Sequence, residues 1–233
     1  MSSIVLSPGA TGAAAFTIEA PSTATSRVIT LPDATDTLVG KATTDTLTNK
    51  TLVAPALGTP ASGDLTNCTN KVISGTAQAS TSGTSIDFTG IPSGVKRVTV
   101  MFDSVSTNGA SGWILQIGDS GGIETTSYSS QVGFGGSGSN ANTSTIGFII
   151  MPASAGINTD IYVGVPIILC LLSSSTNTWA AINGGGFSQS GTPYFIGGGG
   201  NKSLSGTLDR IRITTINGTD AFDAGSINIL YES

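Results

Sequence analysis

The segment Leu208-Asp-Arg-Ile-Arg-Ile-Thr214 alternates apolar and polar side chains, and this alternation indicates the fold class. Successive side chains of a β-strand point to opposite faces of its sheet. The pattern therefore predicts a strand with Ile211 and Ile213 facing a core. Arg210 and Arg212 are then expected to face outward, as on a half-buried strand.

Short segments of the same kind recur from residue 71 onward, separated by turns rich in Gly, Ser and Asn. In Lys96-Arg-Val-Thr-Val-Met-Phe102, the side chains of Val98, Val100 and Phe102 fall on one face. Many short strands at such spacing predict an all-β protein, an antiparallel β-sandwich of jelly-roll type. We expect strands near residues 72–78, 84–88, 95–103, 112–118, 123–134, 144–151, 161–172, 178–186, 193–197, 207–216 and 226–231.

The charge and residue composition excludes several classes of function. Lys and Arg together number 9 against 14 Asp and Glu, so we expect no nucleic-acid partner. His is absent and the carboxylates are thinly spread, so we expect no enzyme activity, no metal and no cofactor. The apolar run from Ile161 to Leu172 is interrupted by Gly164 and Pro166, and a membrane-spanning helix needs about 20 residues. We therefore expect no membrane insertion.

The low charge also bears on assembly, because only 10% of the residues are charged. Charged side chains are one of the usual means by which proteins protect exposed sheet edges from pairing. A β-rich chain with so few of them is expected to cover its edges against copies of itself.

The composition changes near residue 71, which predicts two parts. Residues 1–70 contain one aromatic residue, Phe16, and only scattered aliphatic residues. We interpret residues 1–70 as an extended arm that intertwines with partner chains, with a short hairpin of strands near 14–19 and 27–31. Its isolated Leu and Val side chains would dock on a partner chain, and the alternative is a flexible linker. Residues 71–233 hold most of the aromatic residues and are expected to form the sandwich.

Glycine-rich motifs and the two cysteines have structural interpretations. Gly118-Asp-Ser-Gly-Gly122 is expected to connect two strands, because a serine nucleophile would lack a histidine base. Gly133–Gly138 and Gly197–Gly200 are expected to supply backbone freedom, in surface loops or where three chains crowd an axis. Cys170 lies in an apolar run and is expected to be buried, while a disulfide with Cys68 remains open.

Four aromatic residues neighbour turn-rich segments and are candidates for contact with a carbohydrate: Trp179, Tyr194, Tyr128 and Phe187. An aromatic ring on a loop can stack on the apolar face of a sugar. Each of the four could equally be a structural residue. Trp113 precedes the apolar segment Ile114-Leu-Gln-Ile117 and is expected in the core.

Several segments resemble tail-fibre and related virion proteins of tailed bacteriophages. They are Thr43-Thr-Asp-Thr-Leu-Thr-Asn-Lys-Thr-Leu52, Ala56-Leu-Gly-Thr-Pro-Ala-Ser-Gly-Asp-Leu-Thr-Asn-Cys-Thr69, Val28-Ile-Thr-Leu-Pro-Asp-Ala-Thr-Asp-Thr-Leu-Val39 and two C-terminal segments, Asp209–Asp220 and Phe222–Glu232. The resemblance touches both ends of the chain. The phrase from Asp45 to Thr69 is the most specific part.

The resemblance implies a homotrimer made in the bacterial cytoplasm and incorporated into the virion. Residues 1–70 would bind other virion proteins, of the tail or the capsid, and the distal β-domain would contact the host surface. The expected function is that of a short tail fibre or spike. The chain lacks a long repetitive shaft, so the alternative is a capsid decoration protein whose arm stabilises the major capsid shell.

Overall fold

The computed structural model describes residues 51, 72–135, 140–153, 161–163, 165–189 and 192–233. All of these except Thr51 belong to one compact unit, Ala61–Ser233. The predicted hairpin and the predicted boundary at residue 70 lie outside the described residues.

The described part of the chain forms fifteen β-strands and contains no α-helix. Every strand pair in it is antiparallel. The strands are β1 (Val72–Ser74), β2 (Gln78–Ala79), β3 (Ser85–Thr89), β4 (Arg97–Thr107), β5 (Trp113–Asp119), β6 (Gly122–Ile123), β7 (Ser129–Gly135), β8 (Asn140–Ser144), β9 (Phe148–Met151), β10 (Ile161–Val163), β11 (Ile167–Ser173), β12 (Thr178–Gln189), β13 (Thr192–Ser203), β14 (Arg210–Thr215) and β15 (Phe222–Glu232).

The strands form two sheets. The larger sheet has ten strands in the order β1-β15-β4-β10-β12-β13-β7-β8, with β11 also between β4 and β12, and β2 paired with β15. The smaller sheet has the order β3-β14-β5-β6, with β9 also paired with β5. Buried side chains from both sheets belong to a single core cluster, so the all-β, sandwich-like prediction is confirmed.

The alternation that predicted the strands also predicted which side chains are buried. In β14, Ile211 and Ile213 are fully buried, whereas Arg210 and Arg212 are partly exposed. The expectation that Trp113 lies in the core is also confirmed, since its side chain is fully buried.

Four predicted strands are each divided in two. Residues 72–78 contribute to β1 and β2, residues 123–134 to β6 and β7, residues 144–151 to β8 and β9, and residues 161–172 to β10 and β11. The last division falls beside Pro166, which has no backbone N–H to donate to a ladder. The predicted strand connection at Gly118–Gly122 is confirmed, because β5 ends at Asp119 and β6 begins at Gly122.

The prediction of surface loops at the glycine runs is wrong where the structure describes them. Gly197–Gly200 lie inside β13, and Gly133 and Gly135 lie inside β7. A Cβ atom at Gly198 or Gly200 would overlap backbone carbonyl oxygens of β7, and one at Gly199 would overlap the carbonyl of Ala181 on β12. The glycines therefore allow β13 to lie close to both neighbouring strands.

The expectation that Cys170 is buried is also wrong. Its thiol is free and half-buried on β11, opposite Ala180 of β12. The side chains of Ile167 and Leu169 take the inward positions of this strand, so the alternation turns Cys170 to the outer face. Cys68 lies outside the described residues.

Candidate functional site

The four candidate aromatic residues do not form a common exposed surface. The side chains of Trp179, Tyr128 and Phe187 are 2%, 3% and 4% exposed, and that of Tyr194 is partly buried. Three of the four candidate rings are therefore buried and do not present a face to the protein surface in this structure. The physical reason is register, because Trp179 and Phe187 occupy inward positions of β12.

Tyr128 and Phe187 have structural partners that account for their positions. The Tyr128 hydroxyl accepts a hydrogen bond of 2.8 Å from the Ile117 backbone N–H, and it lies 2.8 Å from the Glu124 carbonyl, to which it donates. Burial raises the pKa of Tyr128 well above its ordinary value. The ring of Phe187 stacks on that of Tyr194, with ring centres 5.3 Å apart.

Trp179 differs from these because its indole N–H has no hydrogen-bond partner and is buried. An unpaired buried donor costs about 1–3 kcal/mol relative to a paired one. The other tryptophan, Trp113, donates its indole N–H to the hydroxyl of Thr107 at 3.2 Å. The indole N–H of Trp113 is therefore paired with an acceptor, whereas that of Trp179 is not.

Trp179 lines a pocket of about 200 Å³, which we call the Trp179 pocket. Its walls come from the turn before β4, the turn between β11 and β12, and the segment before β14. The other lining residues are Pro92, Ser93, Gly94, Val95, Leu171, Ser174, Asn177, Thr207 and Leu208. The lining contains apolar and neutral polar side chains and no charged side chain.

A charged cluster adjoins Trp179, because Lys202 of β13 is its cross-strand partner and is buried on the same inward face. The ammonium group of Lys202 is 2.5 Å from a carboxylate oxygen of Glu124 and 5.4 Å from the centre of the Tyr128 ring. The backbone N–H of Ser205 donates to Glu124 at 2.7 Å, and its hydroxyl donates to Asp119 at 2.6 Å.

These contacts change the acidity of both carboxyl groups. Burial by itself raises the pKa of Glu124, but hydrogen bonds from Lys202 and Ser205 outweigh it and hold that pKa below its ordinary value. The hydrogen bond from Ser205, followed by that from the Gly121 N–H, lowers the pKa of Asp119. We interpret the cluster as a cross-link between β13 and the β5–β6 hairpin, since each group already has a partner.

The outer side of the larger sheet carries an apolar surface. Ile182 is 59% exposed and Phe195 is 63% exposed, on the neighbouring strands β12 and β13. Their cross-strand partners are Gly199 and Gly186, and an edge of the Phe195 ring lies over Gly197. We call this surface, formed by Ile182, Phe195 and the glycines at 184, 186, 197 and 199, the glycine-rich face. With so few side chains it is an open surface on which an apolar partner could pack.

Asn217–Asp220 form a tight turn. The Asn217 side-chain oxygen accepts hydrogen bonds from the backbone N–H groups of Thr219 and Asp220. Gly218 has a φ of 68°, a conformation that favours glycine. In the described ranges, no three His, Cys, Asp or Glu side chains are grouped as metal ligands.

Sequence reasoning missed most of these features. It selected Trp179 but not the rim residues Ser93, Asn177 and Thr207, because they come from three separate turns. It also passed over Ile182 and Phe195, although their parity relative to Trp179 and Ile196 would have placed them on the outer face.

Among the described residues, no helix is long and apolar enough to cross a bilayer. Comparisons with protein-family models, with curated proteins and with solved structures gave no match to this chain.

Proposed function

We propose that this chain is a non-enzymatic structural protein of a bacteriophage virion, a short homotrimeric tail fibre or spike. In this proposal residues 1–70 attach the trimer to other virion proteins. Residues 71–233 form a sandwich of jelly-roll type that contacts the host surface. The resemblance carried by Asp45–Thr69 and by the C-terminal segments supports the choice of a phage virion protein.

The glycine-rich face is the structural observation that carries the assembly part of the proposal. Ile182 and Phe195 are large, apolar and more than half exposed, in a chain with few charges to keep copies apart. Burying apolar surface contributes about 25 cal/mol per Å², so covering this face with a second copy would stabilise an oligomer. Around a three-fold axis, the glycines would let neighbouring sheets approach closely.

The assembly proposal is tested by measuring mass in solution. Light scattering of the purified chain at micromolar concentration is expected to give three times the 23.2 kDa of one chain. Ile182→Lys and Phe195→Lys place charges on the glycine-rich face and are expected to shift the mass toward one chain. Ile216→Lys changes a residue that is 43% exposed on a turn and is the matched control. A wild-type monomer in both purified protein and virions would contradict the proposal.

The attachment part is tested on whole particles. Virions that lack the protein are expected to adsorb poorly to host cells, and purified protein is expected to compete with intact virions for adsorption. A few trimers at the tail would agree with a fibre. Dozens of copies across the capsid, together with normal adsorption of virions lacking the protein, would favour a decoration protein instead.

A further inference from the structure

The Trp179 pocket combines an apolar floor with a neutral polar rim. Val95 and Leu208 are 5% and 2% exposed and form the floor with the indole of Trp179. Ser93, Asn177 and Thr207 lie on the rim, and their side chains make no hydrogen bond with other described residues. A ligand that fits this lining presents an apolar surface and hydroxyl groups together.

The unpaired N–H of Trp179 is a second, independent indication of a ligand. Most buried donors in folded proteins have a partner, either in the protein or in bound solvent. The Trp179 side chain is 2% exposed and lines the pocket, yet its nitrogen has no acceptor among the described residues. The indole nitrogen donates and cannot accept, so the missing group is a hydrogen-bond acceptor such as a hydroxyl oxygen.

The charge of the pocket lining and the volume of the pocket further restrict the class of ligand. No Lys, Arg, Asp or Glu lines the pocket, so an ionised ligand would lose water without gaining a counter-charge. The volume of about 200 Å³ is below the 300–1,000 Å³ typical of sites for drug-sized ligands. The pocket therefore suits one small ring.

We infer that the Trp179 pocket binds a single neutral sugar residue. An oxygen of the sugar accepts the Trp179 N–H, its C–H face packs on Val95 and Leu208, and rim side chains bind its other hydroxyls. The nitrogen is shielded from solvent in this structure, so binding requires a local rearrangement that opens a path from the pocket to it. The inference rests on the proposed attachment function for its choice of a sugar among neutral polyols.

The two tryptophans make a direct experiment possible, because the full chain has only two indole N–H signals. We would titrate uniformly ¹⁵N-labelled protein with glucose, galactose, mannose and N-acetylglucosamine, and with glucuronate and sialic acid as charged controls. At least one neutral sugar is expected to shift the Trp179 indole signal saturably. The Trp113 signal, whose N–H is already paired with Thr107, is expected to stay in place.

Three variants assign the effect to the pocket. Trp179→Phe identifies the signal and is expected to lower sugar affinity at least tenfold. Thr207→Val removes one rim hydroxyl at constant shape and is expected to lower affinity about fivefold. Thr143→Val, on exposed β8 at the far edge of the larger sheet, is the matched control and is expected to bind normally. Because Thr207→Val does not disturb the core, it remains informative if Trp179→Phe fails to fold.

Three outcomes would overturn the inference. The first is that no neutral sugar shifts the Trp179 signal at 100 mM, near the practical limit of such a titration. The second is that both indole N–H signals shift equally. The third is that the Trp179 N–H stays in contact with a bound water molecule that no sugar displaces. The titration uses purified protein without virions or cells. If the titration shows no binding, the adsorption result is unaffected. If virions without the protein adsorb normally, a positive titration is likewise unaffected.

Discussion

At the residue scale, Lys202 is the one charged side chain that is buried among the described residues, at 4% exposure. Glu124 is the partner that compensates its charge, and the negative face of the Tyr128 ring lies near it. Removing one partner of a buried pair leaves an uncompensated charge, which typically costs about 3–5 kcal/mol. Removing one partner of the pair is therefore expected to lower the stability of the fold by more than the intact pair raises it.

We predict that Glu124→Gln destabilises the fold by about 3 kcal/mol, because the Lys202 ammonium loses its anion while remaining buried. Lys202→Met is expected to cost less, since methionine fills a similar space without charge and Glu124 keeps its bonds from Ser205. The measurement is the free energy of unfolding from urea titrations at pH 7. Equal effects of the two substitutions would contradict this view of the pair.

The free energy of unfolding is also predicted to decrease at acidic pH. The pKa values of Glu124 and Asp119 in the folded protein lie below their ordinary values of 4.5 and 3.8. A lowered folded pKa means that the stabilisation is present above the unfolded value and is lost as the pH falls through the folded value. The free energy of unfolding is therefore expected to be level from pH 7 to about 5 and to fall below about pH 4.5. In Glu124→Gln this decline should be shallower, and an unchanged decline would exclude Glu124 as its source.

At the element scale, β13 lies between β12 and β7, and its middle stretch, Gly197–Gly200, has no side chains. It pairs with β12 along its whole length and with β7 from Phe195 to Asn201. Gly198 and Gly200 face β7 so closely that a Cβ atom would overlap its backbone. The middle of the larger sheet therefore depends on glycine for its spacing rather than on side-chain packing.

We predict that Gly200→Ala destabilises the protein by about 1–3 kcal/mol, because the added methyl would force β13 and β7 apart. Gly135→Ala is the matched control in the same sheet, since its nearest atoms would be ordinary contacts at 3.9 Å and it is not one of the residues of the glycine-rich face. It is expected to be neutral or slightly stabilising, because alanine restricts the unfolded chain. Thermal unfolding of both variants measures the difference, and equal melting temperatures would show that β13 can shift at little cost.

At the scale of the whole molecule, the two parts of the chain are expected to have separable roles. The described strands lie in residues 72–233 and their buried side chains belong to one core cluster, so we expect this part to fold without the arm. We predict that a chain lacking residues 1–70 keeps its β-rich circular dichroism spectrum and a cooperative thermal transition. The same truncation is expected to abolish incorporation into virions. Normal incorporation of the truncated chain would show that the arm is not the anchor.

The overall charge leads to a further prediction at this scale. With a net charge of −5 and 9 Lys and Arg, the protein has few cations to exchange for counterions on an anionic surface. Binding to host cells is therefore expected to change less than about threefold between 50 and 300 mM NaCl, where phosphate-type contacts would weaken far more. Measuring cell binding of purified protein across this salt range provides the check. A steep decline would indicate a basic contact surface.

The sequence by itself determined where most strands lie and which residues of the regular strands face inward. Alternation is a local property with a period of two, so it is readable at Ile211 and Ile213 without knowledge of their neighbours. The Asn217–Asp220 turn is readable for the same reason, because its hydrogen bonds join residues adjacent in the chain.

Only the tertiary structure decided the rest. Gly197–Gly200 have no side chains to alternate, so their place in β13 depends on strands β7 and β12, which are distant in sequence. The aromatic character of Trp179 was visible in the sequence, but its burial, its unpaired N–H and its pocket depend on three turns brought together by the fold. Burial and hydrogen-bond pairing are set by nonlocal neighbours, and local periodicity carries no information about which neighbours those are.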